Sequence, residues 1–391
     1  MLKAIKVRLY PDPQQKQTLS QAFGNCRWLW NYCLNLMNQT YKETGKGLSG
    51  YAVKKHIPQL KKEYQWLKLT YSQCLQQVCL NLGVAFNHFF EGRAKSPRFK
   101  SKHHRQSIQF PQNVKVLEDA LKFPMLGIVV AQLHRPIEGK LKTVTVSMNC
   151  YGHYYASLLT EDGKEVPNPS AEGKAIGIDL GLTHFAITSE GSKFDNPKWL
   201  AQHERNLKRK QKRLSRREKG SNKRNKVRKQ VARVHGKIYR CREDFHHKLS
   251  RRVVDENQVI CVESLNVRGM VRNRSLSKAI SQVGWGNFCT LLKYKSEWEG
   301  KVYLEVDRFF PSSKTCNNCL HRVNDLPLDV RHWQCSSCGT KHDRDVNAAC
   351  NIRDEGLRRI STSGTGDAAY RPDVRRESRG RKKSTVALSI G

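Results

Sequence analysis

Acidic residues are scarce in this chain: 34 Asp or Glu stand against 71 Lys or Arg over 391 residues, a formal charge of +37. So large an excess repels itself in a compact state unless a polyanion neutralises it, which puts nucleic acid first among partners, ahead of an anionic membrane surface. Long apolar runs are missing too. A membrane span needs about 20 mainly apolar residues, and the longest uncharged run, 69–90, is interrupted by Gln73, Gln76, Gln77, Asn81 and Asn87. It reads as a buried amphipathic helix, and no membrane partner is expected. The first residues place Lys3, Lys6 and Arg8 where a secretory leader needs an apolar stretch, so the expected location is the cytosol. Also absent are a Gly-x-Ser-x-Gly elbow, a His-Glu-x-x-His helix and a Gly-x-x-x-x-Gly-Lys phosphate loop. Any catalysis is therefore expected to use carboxylates.

What is present argues for packed domains. With 38% hydrophobic residues, 7 Trp, 13 Tyr and 13 Phe, a wholly disordered polycation is excluded, and the length allows two to three domains of roughly 100 to 200 residues. Alternation at Ile5, Val7 and Leu9 predicts a strand that Pro11, Asp12 and Pro13 convert into a helix. From Gln14 to about Phe90 the apolar spacing is helical, through Leu19, Phe23, Trp30 and Leu34 to Leu75, Val78 and Leu82. After a basic loop from Gly92 to Lys102 the period becomes two. Seven or so short strands between Gln109 and Leu159, joined by the N-terminal strand, predict a small β-barrel with the helical segment inserted.

Beyond a linker marked by Pro167, Pro169 and Gly173, strands and helices alternate. The pattern predicts a hairpin over Ala175–Leu180 and Phe185–Thr188, a long helical region from about Glu204, and a second helix ending near Val254. A strand Val259–Glu263, a helix Trp285–Trp298 and a strand Val302–Val306 follow. This order is that of an α/β domain, making the whole chain a multidomain α+β protein. Residues 361–391, rich in Ser, Gly, Thr and Arg, predict a disordered basic tail.

Three groups of residues carry chemistry. Residues 205–242 hold eighteen Lys or Arg and one acid, Glu218. Like charges at i, i+4 destabilise a bare helix, so Lys208, Arg209, Lys212, Arg213, Arg216, Lys223, Arg224 and Arg228 are candidate phosphate contacts, sequence-independent and salt-sensitive. Val227, Val231, Val234 and Ile238 give the same region a narrow docking stripe. A helical hairpin that merely keeps the chain soluble is the bland alternative. The second group is Cys316-x2-Cys319 and Cys335-x2-Cys338, with 15 residues between the pairs. That spacing is a zinc ribbon's, and four thiolates leave no open position, so the Zn²⁺ is structural. The third group is acidic. Asp179 ends a strand between Gly177 and Gly181, Glu263 ends an apolar strand, and Asp345 stands at a helix start, where capping is its ordinary role. Together such carboxylates could hold two Mg²⁺ ions about 3.5 to 4 Å apart for phosphodiester hydrolysis.

Gly177-Ile178-Asp179-Leu180-Gly181, Val262-Glu263-Ser264-Leu265, the two cysteine pairs and Asp343-Arg344-Asp345-x-Asn347-Ala348-Ala349 together resemble the signature of the TnpB (OrfB) proteins of bacterial insertion sequences. The likeness extends over nearly the whole chain, including Leu2 to Pro11, the helix with Trp28 and the Gly92 to Phe99 loop. It implies an RNA-guided DNA endonuclease related to type V CRISPR effectors, acting in the bacterial cytosol at the nucleoid. The implied parts are a wedge-like β-barrel (1–10 with 101–168), a helical recognition lobe (11–100), a RuvC-like nuclease of ribonuclease H fold (169–310 with 340–360) and an inserted zinc ribbon (311–339). In that comparison Asp179, Glu263 and Asp345 are the metal-binding triad, Asp343 the ambiguous neighbour of Asp345, and Asn347 a supporting or helix-start residue. The implied partners are a guide RNA from the mobile-element end and a double-stranded DNA target. Three rival functions are weighed against this one. An actin-like ATPase also opens on Gly-Ile-Asp-Leu-Gly, but no second glycine-rich phosphate turn follows Glu263. A regulator without cleavage fits the charge but not an intact triad. A transposase acting without a guide is compatible with two-metal chemistry.

Overall fold

A computed structural model describes residues 1–362, His104 and Leu328 excepted, as two compact units. The first comprises Met1–Glu165 and Trp199–Cys241, the second Val166–Lys198 and the described residues from Arg242 onward. The expected tail lies outside the described residues except for Ser361 and Thr362, which are helical.

The first unit opens with β1 (Leu2–Tyr10). Asp12 then caps α1 (Pro13–Thr44): its carboxylate accepts from Gln15 N at 2.7 Å, and the Gln15 side chain accepts from Asp12 N at 3.1 Å. This reciprocal box, with Pro13 in the first turn, makes the chain switch from strand to helix. Short helices α2 (Gly50–Lys54) and α3 (Ile57–Glu63) lead to α4 (Ser72–Phe90). Strands β2 (Gln106–Phe110), β3 (Lys115–Val116), β4 (Ala120–Phe123), β5 (Gly127–Gln132), β6 (Lys140–Met148) and β7 (Tyr154–Glu161) follow. With β1 they form one antiparallel sheet in the order β2-β6-β7-β1-β5-β4-β3.

The expected barrel is not closed. Among the described residues the two edge strands, β2 and β3, do not pair, and β3 is two residues long, too short to carry a ladder back across the sheet. Helices cover the apolar face instead: Ile5, Val7, Leu9, Val129, Val144 and Leu158 share one core with Leu19, Phe23, Leu29 and Leu34 of α1 and Leu75 and Leu82 of α4. A sheet whose inner face is covered in this way has no need to curl onto itself.

The basic region is a helical hairpin, α5 (Trp199–Ser215) and α6 (Asn222–Glu256), whose residues up to Cys241 belong to the first unit. Leu207 of α5 packs on Val234 and Ile238 of α6, with Val231, Trp199 and Leu200 beside them, so the valine stripe docks on the hairpin's own partner. Among the described residues no helix is long and apolar enough to cross a membrane.

The second unit is built on a five-stranded sheet from β8 (Ala175–Asp179), β9 (His184–Thr188), β10 (Lys193–Asp195), β11 (Val259–Glu263) and β12 (Val302–Val306), ordered β10-β9-β8-β11-β12. β8 is antiparallel to β9 and parallel to β11, and β11 is parallel to β12. The helices α7 (Val267–Met270), α8 (Ser277–Val283) and α9 (Trp285–Trp298) lie between β11 and β12 in the chain. Ile176, Ile178, Ile260 and Val262 face one core with Leu249, Val253, Ile280, Phe288 and Leu292. Val259 and Cys261 face the other side, packed with Ile352 of the last helix, α10 (Arg344–Thr362). A small hairpin, β13 (His332–Gln334) and β14 (Lys341–Asp343), precedes α10.

Candidate functional site

Side chains alternate across a strand, and this decides where two of the acids point. Ile176 and Ile178 enter the core beneath the sheet, so Gly177 and Asp179 share the face turned to α10; by the same count Ile260 and Val262 go down while Cys261 and Glu263 go up. Ile178 pairs with Val262 in the parallel ladder, so Asp179 and Glu263 are the next residues of adjacent strands at the same sheet edge. That edge, at the C-terminal ends of the central strands, is where sheets of this kind place ligands.

The third acid arrives on α10, which lies unusually near the sheet. A Cβ at Gly177 would fall 1.9 Å from the Ala349 carbonyl oxygen, and one at Gly356 would fall 2.2 Å from Cys261 Sγ. Two glycines, one on the strand and one on the helix, thus allow backbone contact. Asp345 is four residues before Ala349, about 6 Å along the helix, and Asp179 is two strand residues beyond Gly177, about 6.6 Å. Matching steps carry both acids to one end of the site.

The electrostatics agree. Burial, followed by the negative charges of Glu263 and Asp345, raises the Asp179 carboxyl to about 7, against a smaller opposing effect of Arg344. Burial also raises Glu263. Asp343, not Asp345, is the cap of α10: its Oδ1 accepts from Asp345 N at 3.0 Å and Val346 N at 3.1 Å, while its other oxygen pairs with Lys193 at 2.6 Å. Asp345 is thereby left free of capping and holds Arg331 at 3.2 Å. Three crowded acids, two of them pushed toward neutrality, are a donor set suited to a hard divalent cation. Among the described residues they do not converge as tightly as the thiols do.

The four thiols form a complete metal cage. Cys316, Cys319, Cys335 and Cys338 bring their sulfurs within 4.8 Å of one another, with Cys316 to Cys338 at 3.7 Å and Cys319 to Cys335 at 3.6 Å. A zinc tetrahedron with Zn–S bonds of about 2.3 Å has S–S edges of about 3.8 Å, so the residues present fit Zn²⁺. The Thr340 hydroxyl, 3.2 Å from Cys338, holds that thiol down at about 5, in the thiolate form a metal takes. The cage is tied to the acidic site through α10. Asn347 donates to Thr315 O at 2.7 Å and accepts from Asn317 N at 3.0 Å, and Asn351 donates to Ser312 O at 2.7 Å. Asn347 therefore grips the first cysteine knuckle.

The basic side chains expected to meet phosphates are not equivalent. Lys208, Arg209, Lys212, Arg213, Arg216, Lys223 and Arg228 are exposed on the α5–α6 hairpin, whereas Arg224 is half-buried. Its guanidinium donates to Leu214 O and Arg217 O, both at 2.7 Å, satisfying carbonyls at the end of α5. Sequence reasoning also passed over the Gly177 and Gly356 contacts, the Asn351 bridge and the Arg331 pair. The one advance signal was the spacing of Asn347 and Asn351 on a single helical face.

The chain shares its fold with a solved protein, "Cryo-EM structure of the Cas12f1-sgRNA-target DNA complex", at a TM-score of 0.56 over 90% of this chain and 98% of that one, with 13% identity. A family model described as "Cas12f1-like, TNB domain" matches residues 285–352. The OrfB IS605 model, described as "Probable transposase", matches residues 157–274, and a helix-turn-helix model of the same family matches residues 1–46. Despite that last description, residues 1–46 hold a strand and one continuous helix. Among relatives, a "Putative RNA-guided DNA endonuclease" of Streptomyces pristinaespiralis is 37% identical across 98% of this chain and 95% of its own length. "Putative RNA-guided DNA endonuclease InsQ" of Escherichia coli K12 is 32% identical across 90% and 91%. The chain belongs to the TnpB family, the OrfB proteins of IS605-type insertion sequences.

Proposed function

We propose that the protein is an RNA-guided DNA endonuclease of a mobile element, cleaving DNA by metal-assisted phosphodiester hydrolysis at Asp179, Glu263 and Asp345. The observation that carries this reading is the electrostatic crowding of Asp179, a carboxyl raised to about 7 by burial and by the other two acids. The strand order, with a central β8 between antiparallel β9 and parallel β11, supports a RuvC-like nuclease, and the names of the relatives in Streptomyces and Escherichia support guided DNA cleavage.

Bound there, Mg²⁺ ions supply the charge that activates a water and stabilises the leaving oxygen. The chain's own part is to hold the acids in place. Asp179 is held desolvated beside Glu263 and Asp345, and a cation offsetting those two charges would favour its ionised form. Asp343 takes over the capping of α10, so Asp345 keeps both oxygens for the site, where Arg331 now pairs with it and a cation would take that place. Cys316, Cys319, Cys335 and Cys338 would hold a structural Zn²⁺ that fixes the knuckle Asn347 and Asn351 grip, and the exposed cations of α5 and α6 grip phosphates. Sequence is read by pairing with the guide, the protein reading duplex shape and a short flanking motif.

Purifying the protein from its host with its nucleic acid, and sequencing what accompanies it, tests the reading. A discrete RNA from a mobile-element end is the expected result. Heterogeneous DNA without RNA would favour a transposase acting without a guide.

A further inference from the structure

Away from the acidic site, within the first unit, three arginines gather around a small aromatic group. Arg8 lies on the sheet face opposite the helical core, paired with Tyr155 in the β1–β7 ladder. Its guanidinium donates to the Tyr155 hydroxyl at 3.4 Å and also contacts His153 Nδ1. The His153 ring meets Tyr151 edge-on, with centroids 4.6 Å apart. Tyr151 in turn reaches α6: a Cβ at Gly236 would fall 2.5 Å from its ring, so the ring rests on helix backbone, and its hydroxyl accepts from Arg240 at 2.8 Å.

Four physical facts point the same way. Arg233 stands on α6 three residues before Gly236 and seven before Arg240, on the helix face that meets Tyr151, and burial and then Arg8, Arg240 and Arg233 disfavour the His153 proton. Among the described residues no ion pair joins any of the three to a carboxylate, whereas the acids of the same sheet, Glu161 and Asp162, are paired with Lys142, Lys3 and the N-terminus. Arg8 Nε is buried with no hydrogen-bond partner, a donor left over in a half-buried group. Finally, Arg233 and Arg240 are exposed, so the cluster opens to solvent on one side. Unpaired guanidiniums converging on neutral rings constitute a site for a doubly hydrogen-bonded oxyanion.

We propose that Arg8, Arg233 and Arg240, framed by Tyr151, His153 and Tyr155, seat one backbone phosphate of a bound nucleic acid. The proposal rests on the nucleic-acid reading above but adds a discrete seat to the diffuse cations of the hairpin. The seat engages a phosphodiester and no base, so it fixes the strand's path over the sheet without reading its sequence.

The test uses the full chain, with a structured RNA of mixed sequence and a double-stranded DNA as separate probes. Arg8→Gln and Arg240→Gln are compared with wild type by the slope of log affinity against log salt. The slope is expected to fall by about 1 for the strand whose phosphate sits there, and to be restored by Arg8→Lys. A fall with RNA alone assigns the seat to RNA, and a fall with DNA alone assigns it to DNA. If neither slope changes while combined Lys208→Gln, Arg209→Gln and Lys212→Gln lowers them, the seat is disproved and the nucleic-acid reading stands. If neither set has any effect, both fail. Should Arg8→Gln not fold, the exposed Arg240→Gln carries the test alone.

Discussion

Gly177 is the residue on which the acidic site most depends, although it has no functional group. Its absent side chain allows the Ala349 carbonyl to approach to where a Cβ would sit, and so sets the height of α10 above β8. Gly177→Ala is expected to cost about 3 kcal/mol through overpacking, measured by denaturant unfolding. Gly47→Ala, where a Cβ meets nothing within 4 Å, should stay within about 0.5 kcal/mol. His246 supplies a second residue-scale prediction. It is fully buried, its Nε2–H donates to Val283 O at 3.0 Å, and its Nδ1 accepts from Asn287 at 3.2 Å, which specifies the neutral ring. Burial, and then Arg242, lowers it to about 4. The unfolded chain therefore takes up this proton first. The stabilising contribution is complete above about 6.5 and is lost as pH falls toward 4, amounting to about 3 kcal/mol. In pH-dependent unfolding, His246→Gln should show a shallower acid loss than wild type, and parallel profiles would refute the assignment.

Among the elements, α10 has two tasks: its first turn carries Asp345, and its asparagines hold the cysteine knuckle. Cys335→Ser should release zinc and loosen Thr315 and Asn317 from Asn347 and Asn351. Metal analysis should then show lost zinc, and cleavage should fall with it although no acid has changed. Unchanged zinc content would remove the ribbon from the account. Much of this was legible beforehand. The bounds Val259–Glu263, Trp285–Trp298 and Val302–Val306 are those of the structure, because the two strands are short β-branched and aromatic runs and the helix between them keeps a helical spacing of apolar residues, Trp285, Phe288, Leu291 and Leu292. That the sheet stays open and does not close into the expected barrel was not legible, since alternation identifies strands but says nothing of whether β2 and β3 pair. Nor could spacing separate Asp343 from Asp345. Two acids flanking Arg344 look alike until hydrogen bonds show that the first is the cap. Arg224 illustrates the same limit, because its capping role depends on α6 folding back along α5.

For the whole molecule the excess of positive charge, +37, now has parts with different duties. Exposed cations on the α5–α6 hairpin form a broad electrostatic surface, the arginine cluster on the outer sheet face a defined seat, and Arg224 together with the buried Arg344, which donates to Pro327 O and Val330 O, serves the protein's own fold. Binding of RNA should accordingly weaken steeply with salt, and hairpin substitutions should reduce that slope without altering cleavage by complexes already assembled. The account's central claim is that Asp179, Glu263 and Asp345 perform the cleavage. It is tested most directly by presenting DNA matched to the co-purified RNA, with Mg²⁺, to wild type, Asp179→Ala and Glu263→Ala complexes carrying equal RNA. Cleavage is expected from wild type alone, with RNA retained by all three; cleavage surviving in both variants would take the reaction away from these acids.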